Sequence, residues 1–308
     1  MGYGAWQIGG NMWGEVPDRA AEQAIEAALD AGITFFDTAL AYGRGRSEQV
    51  LGRVLKRTGM RETVKVATKI PPMNSAWPAR HDAALRDVFP AHWIEQCTRE
   101  SLANLGFTPD LQQLHVWSDT WADDREWSDA LERLKQNGDF RAYGVSINAH
   151  EPESALRVTR SGRIDSLQLV YNVFDQSPEN ELFGAARQHD VASIVRVPLD
   201  EGSLGGKFTK QTRFDDDDFR ARYFRGERIA ETVDRVEKLR PILENEQQTL
   251  AQGALRFCLS NEAVTTVIVG STKPEHVRAN AAVSDMGALD RRTVSELRAH
   301  AWPHNYHK

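Results

Sequence analysis

The chain has 308 residues, of which 41% are hydrophobic and 27% charged, a composition typical of a globular protein with a substantial core. The net charge of −6, without a lysine- or arginine-rich block, argues against a nucleic-acid partner, and no apolar run approaches the ~18 residues that would span a membrane. The sequence has only two cysteines, Cys97 and Cys258, and its N-terminus lacks a secretory signal pattern. We therefore expect a cytoplasmic protein with reduced thiols.

Short apolar segments alternate with amphipathic helical patterns along the chain, which predicts a repeated strand–helix unit. The predicted strands are Gly2–Ile8, Ile33–Asp37, Val64–Lys69, Leu111–Val116, Arg141–Ser146, Ser166–Val170, Ser193–Val197 and Thr265–Val269. The predicted helices span residues 17–31, 47–59, 91–105, 127–137, 152–161, 181–189, 232–243, 249–260, 274–283 and 290–301. Ser47 is the expected N-cap of the second helix and Gly59 its stop.

The number and order of these elements define the fold class. Eight strands, each followed by at least one helix, imply a parallel sheet and fit a closed α/β (β/α)8 TIM barrel better than an open sheet. No linker divides the chain, so we predict one domain over residues 1–308. A doubly wound open sheet is the alternative, although the GxGxxG sequence that it would carry after strand one is missing.

Two long irregular stretches interrupt the repeat, at residues 70–90 and 199–227. The first contains four prolines together with Trp77 and Phe89, and a loop of this length in a compact domain is usually functional. The second includes the acidic run Asp215–Asp218. We interpret this run as a solvated loop rather than a metal site, because no histidine or cysteine accompanies it at ligand spacing.

Chemically capable side chains fall at consecutive strand ends, where barrels of this type carry their active sites. Asp37 ends strand two, Tyr42 lies in the loop behind it, Lys69 ends strand three and His115 lies near the end of strand four. A phenol has a pKa near ~10, and a neighbouring ammonium favours the phenolate. We therefore predict that Tyr42 donates a proton, that Lys69 lowers its pKa, that Asp37 keeps Lys69 charged, and that His115 orients a carbonyl oxygen.

The segments FFDTALAYGRGRSE, ATK and LHVW, which carry these residues, resemble the aldo-keto reductases, and the resemblance extends from Gly2 to about Val283. It implies a (β/α)8 enzyme that reduces an aldehyde or ketone reversibly, with Tyr42, Lys69, Asp37 and His115 as the catalytic tetrad. NADPH is the implied cofactor, with NADH possible. An arginine at position 196, where many members stack a tyrosine on the nicotinamide, resembles the bacterial and Kv-channel-β-like branch.

The resemblance also implies a set of cofactor-binding residues. Strand one and the later strand ends contribute Gly4, Ala5, Trp6, Asp37, Ser146, Asn148, Gln168 and Arg196. The glycine-containing loop after strand seven contributes Val197, Pro198, Leu199, Gly202, Ser203, Gly206 and Lys207. The segment after strand eight, which opens a helix and is therefore suited to an anion, contributes Gly270, Ser271, Thr272, Lys273, His276 and Asn280.

Several positions depart from the family pattern. His276 stands where many members have arginine or glutamine, and Ala279 where many have glutamate. Binding of a 2′-phosphate is therefore expected to depend on Lys273, with Arg278 as a helper. Ile147 replaces an asparagine that many members carry, with Asn148 as its substitute, and Ala5 replaces a threonine. The given sequence begins at strand one, where many members have a preceding β-hairpin, so we expect the lower barrel end to be uncovered or covered by other segments.

Aromatic residues in the predicted loops suggest an apolar or sugar-like small-molecule carbonyl substrate. The predicted substrate contacts are Trp6, Trp77, His115 and Trp117, and further candidates are Met12, Trp13, Phe89, Trp121 and the segment from Trp302 to Tyr306. Two other functions stay open: an NADPH-binding redox-sensing regulatory subunit with little turnover, and a cofactor-free hydrolase or lyase that uses Asp37 and His115. The sequence assigns no oligomeric state.

Overall fold

Parallel strands close a barrel in the computed structural model, which describes residues 1–10 and 12–306. The strands are β1 (Gly2–Gly4), β2 (Phe35–Asp37), β3 (Lys65–Ile70), β4 (Leu111–Leu114), β5 (Ala142–Ser146), β6 (Ser166–Val170), β7 (Ala192–Arg196) and β8 (Val264–Val269). Each strand pairs with the next one along the chain, and β8 pairs with β1. The predicted closed barrel is therefore confirmed, and the open sheet is excluded.

Helices surround the barrel. They are α1 (Asp18–Asp30), α2 (Arg46–Thr58), α3 (Leu85–Val88), α4 (Ala91–Leu105), α5 (Glu126–Gln136), α6 (Leu156–Arg160), α7 (Leu182–Gln188), α8 (Phe219–Tyr223), α9 (Arg228–Leu243), α10 (Leu250–Leu259), α11 (Pro274–Ala281) and α12 (Arg291–Arg298). Among the described residues, none of these helices is long and apolar enough to cross a membrane. The hydrophobic core lies between the strands and this helical layer, where Val50, Leu51, Val54 and Leu55 of α2 are fully buried.

The start of α2 differs from the prediction. The helix begins at Arg46 after Gly45, whose φ of +87° favours glycine, so Ser47 is not the N-cap. Ser47 lies one residue inside the helix, where its hydroxyl donates to the carbonyl of Ala5 (2.8 Å) and accepts from Thr38 Oγ1 (2.8 Å). The residue thus connects α2 to the ends of β1 and β2 instead of capping the helix.

Strand register places the site. Side chains alternate between the two faces of a strand, and the pairs Gly4 with Asp37 and Val170 with Arg196 set neighbouring strand ends at one level. A hydrogen bond from Gln168 Nε2 to Asp37 Oδ1 (2.7 Å) joins β6 to β2 across the barrel interior. The carboxyl ends of the strands therefore bring their polar side chains to the same end of the barrel.

Close packing of α2 on α4 depends on Gly52. A Cβ atom at this position would lie 2.3 Å from the carbonyl oxygen of Leu105, a backbone atom that cannot rotate away. We expect Gly52→Ala to lower the free energy of unfolding by about 1–3 kcal/mol or more, because overpacking forces the two helices apart. Gly184→Ala in α7 is the matched control: no atom lies within 4 Å of its added Cβ. There, alanine should be neutral or stabilising by up to ~1 kcal/mol.

Urea unfolding followed by circular dichroism measures both variants. Equal stability of Gly52→Ala and Gly184→Ala would contradict the packing of α2 on α4 described above.

Candidate active site

A cavity of about 630 Å³ opens at the carboxyl ends of the strands. Its lining comes from the strand ends, from the loops after β1, β2, β3, β4, β5 and β7, and from the C-terminal segment. The lining residues are Gly4, Trp6, Gln7, Met12, Trp13, Asp37, Ala41, Tyr42, Trp77, Pro78, His115, Val116, Ser146, Ile147, Asn148, Ala149, Gln168, Arg196, Val197, Pro198, Leu199, Glu201, Gly202, Phe219, Arg220, Arg222, Ile268, Val269, Gly270 and Asn305. The volume is in the range of small-molecule and cofactor sites.

Lys69 is the centre of the polar group at the base of this cavity. Its ammonium donates to Asp37 Oδ2 (2.5 Å), to the carbonyl of Thr38 (2.7 Å) and to the hydroxyl of Tyr42 (3.3 Å). An ammonium has three N–H donors, so each finds one acceptor. Lys69 and Asp37 are both buried, and the second oxygen of Asp37 accepts from Gln168. The ion pair is thus fully hydrogen-bonded, which a buried pair requires.

The ion pair of Lys69 and Asp37 affects the pKa of Tyr42. Burial is the largest single effect on Lys69 and disfavours its charged form, but Asp37 and Tyr42 together outweigh it, so the pKa of Lys69 is raised. Burial also raises the pKa of Tyr42, while the charge of Lys69 lowers it, and burial is the larger effect. The expectation that Lys69 lowers the phenol pKa is right for that contact alone. The net shift is upward, because the hydroxyl lies in a desolvated site and Asp37 acts in the same direction as burial.

His115 packs against the ring of Tyr42. Its ring centroid lies 5.5 Å from that of Tyr42 and 4.6 Å from that of Trp77, both in edge-on contacts. Burial, together with the charges of Lys69 and Arg196, holds the pKa of His115 well below its ordinary value. A neutral imidazole carries one N–H donor and one acceptor. His115 can therefore donate a single hydrogen bond to a carbonyl oxygen near Tyr42 while adding no charge.

A second layer of hydrogen bonds lies behind the tetrad. Glu48 in α2 is fully buried; it accepts from Thr68 Oγ1 (2.5 Å) and from Asn104 Nδ2 of α4 (2.9 Å). Burial raises the pKa of Glu48. Thr68 directly precedes Lys69, and Thr38 directly follows Asp37. The first turn of α2 therefore holds both strand ends that carry the ion pair.

The structure brings part of the predicted cofactor set to the cavity and leaves the rest outside its lining. Gly4, Trp6, Asp37, Ser146, Asn148, Gln168, Arg196, Val197, Pro198, Leu199, Gly202 and Gly270 line it. Ala5, Ser203, Gly206, Lys207, Ser271, Thr272, Lys273, His276 and Asn280 do not. Two of the residues outside the lining are in contact with each other: Lys207 Nζ lies 2.9 Å from His276 Nε2. This contact joins the loop after β7 to α11.

Two amide side chains of the predicted set already have protein partners. Asn148 Oδ1 accepts from the backbone N–H of Ala79, and its Nδ2 donates to the Ala79 carbonyl and to Glu151. Asn148 thus ties down the loop after β3. Gln168 donates one N–H to Asp37, as described above. Arg196 donates to the carbonyl of Ile147 (2.9 Å), which fixes its guanidinium beside the cavity.

Trp117 does not line the cavity, unlike the other predicted substrate contacts. Its side chain is fully buried, with ring centroids 5.8 Å from Trp121 and 5.1 Å from Trp127, and its Nε1 donates to Asp119. The residue belongs to the hydrophobic core because it lies beyond the end of β4 on the side that faces the helices. Trp6 and Trp77, by contrast, line the cavity as predicted.

The segment around α8 contributes to the cavity wall, although its sequence pattern does not predict this. Phe219 packs on Trp6 and Trp13, with centroids 5.1 and 4.9 Å apart, and its N–H donates to the carbonyl of Met12. Arg220 lies over the Trp13 ring and binds Asp218 through both carboxylate oxygens, so this part of the acidic run caps a short helix. Nothing local in the sequence marks these contacts, because they form between segments about 200 residues apart.

Comparison of the sequence with known proteins identifies the family of this chain. The model of the Aldo/keto reductase family matches residues 1–301. The chain is 30% identical to the aldo-keto reductase YhdN of Bacillus subtilis, over 91% of this chain and 83% of that protein. It is 29% identical to the NADH-specific methylglyoxal reductase of Escherichia coli, over 94% and 91%. Probable voltage-gated potassium channel β subunits of Arabidopsis thaliana and Oryza sativa are further relatives, at 28% and 27% identity.

A solved structure agrees with the sequence comparison. The glycerol dehydrogenase AKR11B4 from Gluconobacter oxydans superposes with a TM-score of 0.78 at 28% identity, covering 99% of this chain and 92% of that one. The predicted relationship to bacterial and channel-β-like members is confirmed. Because the family model spans nearly the whole chain, the protein belongs to the aldo/keto reductase family, oxidoreductases that act on aldehydes and sugars with nicotinamide cofactors.

Proposed function

We propose that the protein is an NADPH-dependent carbonyl reductase that interconverts an aldehyde or ketone and its alcohol. The observation that carries the proposal is the Lys69 ammonium, whose three N–H groups are directed to Asp37, Thr38 and Tyr42. This arrangement fixes the Tyr42 hydroxyl at the cavity beside neutral His115. A phenol and an imidazole N–H directed at one position suit a carbonyl oxygen that gains negative charge.

The proton-transfer groups divide the work in a defined way. The Tyr42 hydroxyl gives its proton to the carbonyl oxygen during reduction and takes it back during oxidation. Lys69 stabilises the phenolate that remains, because its positive charge lies within hydrogen-bond distance of the oxygen. Asp37 keeps Lys69 charged, and His115 holds the carbonyl oxygen within reach of Tyr42. A bound reduced nicotinamide supplies the hydride.

The residues present fit a dinucleotide. The floor of the cavity at Gly4 and Gly270 has no side chains, and an added Cβ at Gly270 would lie 2.6 Å from the carbonyl oxygen of Gly4. Arg196 offers a planar guanidinium at the cavity wall, the group that stacks on flat rings. These residues would hold the nicotinamide half of the molecule.

Cationic side chains beyond the cavity edge support a phosphate on the other half. Lys207 and His276 are in contact, and the exposed Lys273 directly precedes α11. Burial and the charge of Lys207 lower the pKa of His276, although Glu275 opposes this. Two lysines that converge at a helix N-terminus form an anion site, which favours the 2′-phosphate of NADPH over NADH.

The cavity rim suits an apolar or sugar-like substrate. Trp6, Trp13 and Phe219 form one wall through mutual ring contacts, and Trp77 stands at the other side beside His115. Aromatic faces bind apolar groups and the C–H faces of sugars. Trp6 and Trp77 are therefore the proposed substrate contacts, together with His115.

A metabolite panel tests the proposal. The protein is mixed with NADPH or NADH and with aldehydes, ketones and aldoses, and consumption of the reduced cofactor is followed by absorbance. Turnover of at least one carbonyl compound supports the reductase. Tight NADPH binding without turnover of any member, together with a protein that co-purifies stably, would instead support a regulatory subunit.

We expect Lys273→Ala to weaken NADPH binding about tenfold, since a charge-assisted hydrogen bond contributes ~1.5–3 kcal/mol. NADH binding should stay unchanged because NADH has no 2′-phosphate. Fluorescence titration of both cofactors measures the effect, and Lys56→Ala on the exposed face of α2 is the control. A loss of equal size for both cofactors would show that Lys273 does not contact the 2′-phosphate.

A further inference from the structure

The C-terminal segment 302–306 lies across the cavity end of the barrel. The N–H of Trp302 donates to the carbonyl of Phe174 (2.7 Å), and Asn305 Nδ2 donates to the carbonyl of Ala149 (3.3 Å). Arg228 of α9 donates to the carbonyl of Tyr306 (3.3 Å). Asn305 and Ala149 both line the cavity. The segment is therefore part of the cavity wall, held by three different elements.

His304 in this segment faces an acceptor with each ring nitrogen. Nδ1 lies 2.9 Å from the carbonyl oxygen of Trp302, and Nε2 lies 3.3 Å from Asp200 Oδ1. The side chains of His304 and Asp200 are only 6% and 1% exposed. A neutral imidazole has a proton on one nitrogen only, so its other lone pair would point at an oxygen. An imidazolium, with a proton on both nitrogens, suits these two oxygens best.

Asp200 belongs to the loop after β7, whose backbone is strained. Val197, Asp200 and Glu201 have φ values of +54°, +46° and +53°, in the region that side chains other than glycine rarely adopt. Such conformations persist only where surrounding contacts hold them. Ser203 Oγ donates to Asp200 Oδ2 (2.6 Å) within the loop, whereas the His304 contact comes from outside it. Residues on both sides of Asp200 line the cavity.

We propose that protonated His304 is a positioning residue that holds the strained loop 197–206 in its cofactor-binding shape by pairing with Asp200. The inference rests on the proposed function, because the loop lies where the dinucleotide would bind. It makes the C-terminal segment a support for the cofactor loop as well as a cavity wall. Loss of one proton from His304 would release the loop and weaken cofactor binding.

Several charged groups surround His304. Asp200 lies on the loop after β7, and Asp175, which pairs with His150 at 2.5 Å, lies on the loop after β6. The rings of His150, Phe174, Trp302, Tyr223 and Tyr306 contact the imidazole from the remaining sides. Two arginines stack on rings that contact His304: Arg235 lies over Trp302, and Arg228 lies over Tyr306. The Asp200 carboxylate, 3.3 Å from Nε2, is thus the charged group in direct contact with His304.

The direction of the pH effect follows from these contacts. Burial disfavours the imidazolium, but Asp200, the carbonyl of Trp302 and the more distant Asp175 outweigh it, so the pKa of His304 is raised. A group whose pKa is raised on folding stabilises the fold fully below its unfolded value of about 6.5 and loses that effect as the pH rises through the folded value. The loop should therefore loosen on the alkaline side.

Hydrogen–deuterium exchange of the cofactor-free protein tests the inference without relying on activity. Exchange of peptides that cover residues 197–206 is measured between about pH 6 and about pH 9 and corrected for the intrinsic rate. The variants are His304→Ala, which removes the contact, and His304→Gln, whose neutral amide can donate to Asp200 at every pH. His189→Gln, at an exposed histidine, is the control. NADPH affinity is titrated in parallel at each pH.

We expect exchange in the parent loop to rise with pH, exchange in His304→Ala to be high throughout, and exchange in His304→Gln to be low and independent of pH. The Kd for NADPH should rise about tenfold in His304→Ala, because the variant leaves the buried Asp200 carboxylate without its cationic partner. Parent-like exchange in His304→Ala, or parent-like pH dependence in His304→Gln, would overturn the inference. If His304→Ala does not fold, the pH profile of His304→Gln decides. Absence of NADPH binding to the parent, with the expected exchange pattern, would overturn only the proposed function.

Discussion

Replacing Tyr42 with phenylalanine is expected to lower kcat for carbonyl reduction by about 10²–10⁴-fold, the usual contribution of a positioned general acid. The variant removes one oxygen, the atom that receives a hydrogen bond from Lys69 and lines the cavity. The aromatic contacts of the ring with Trp6 and His115 remain, so the cavity keeps its shape. Cofactor affinity should therefore change little while turnover collapses. Steady-state kinetics with a substrate from the panel, together with an NADPH titration, separate the two effects.

Tyr143→Phe is the matched control, because Tyr143 lies on β5 outside the cavity lining and its hydroxyl donates to Glu132 of α5 over a long distance (3.4 Å). It should react at the parent rate. Parent-like turnover in Tyr42→Phe would show that another group supplies the proton and would remove the main support for the proposed mechanism.

The second large effect is expected at Lys69. Lys69→Met should lower the free energy of unfolding by about 3–5 kcal/mol, because it leaves Asp37 as an unpaired buried carboxylate. It should also abolish measurable reduction, since no positive charge then stabilises the phenolate of Tyr42. Thermal unfolding and urea titration measure the stability, and kinetics measure the turnover.

Two further variants sharpen this experiment. Lys65 lies on the same strand, but its ammonium is largely exposed and lies 3.3 Å from Asp110. Lys65→Met should therefore lower the free energy of unfolding by no more than about 1 kcal/mol. The double variant Lys69→Met with Asp37→Asn should recover part of the lost stability, because no charge is then buried alone. A double variant less stable than Lys69→Met would contradict the account of the ion pair.

The fold and the grouping of Asp37, Tyr42, Lys69 and His115 could be predicted from the sequence because both depend on regular features. Helical spacing marks the buried stripe of α2, and Gly59 ends that helix with a φ of +69°. Parallel strands of a barrel all end on one side, so residues at consecutive strand ends meet there without knowledge of any loop. Asp37, Lys69 and His115 could be brought together on this argument alone.

Loop contacts could not be predicted in the same way. Trp117 lies only two residues beyond His115, yet its ring is in the core. The direction of a side chain beyond a strand end depends on how the following loop packs. The sequence predicts that Asn148 binds the cofactor, whereas its side-chain amide is hydrogen-bonded to the backbone of Ala79 in another loop. The net pKa shift of Tyr42 also escaped prediction, since it depends on how deeply the hydroxyl is buried.

The hydrogen bonds behind the tetrad have a consequence for how such an enzyme can diversify. Lys69 and Asp37 are held from below by β2, β3 and the first turn of α2, whereas the rim of the cavity consists of side chains such as Met12 and Trp77, which are 40% and 49% exposed. Exposed side chains tolerate substitution at little cost in stability. Under the proposed function, the range of carbonyl substrates can therefore change by mutation at the rim while Tyr42 and Lys69 stay unchanged.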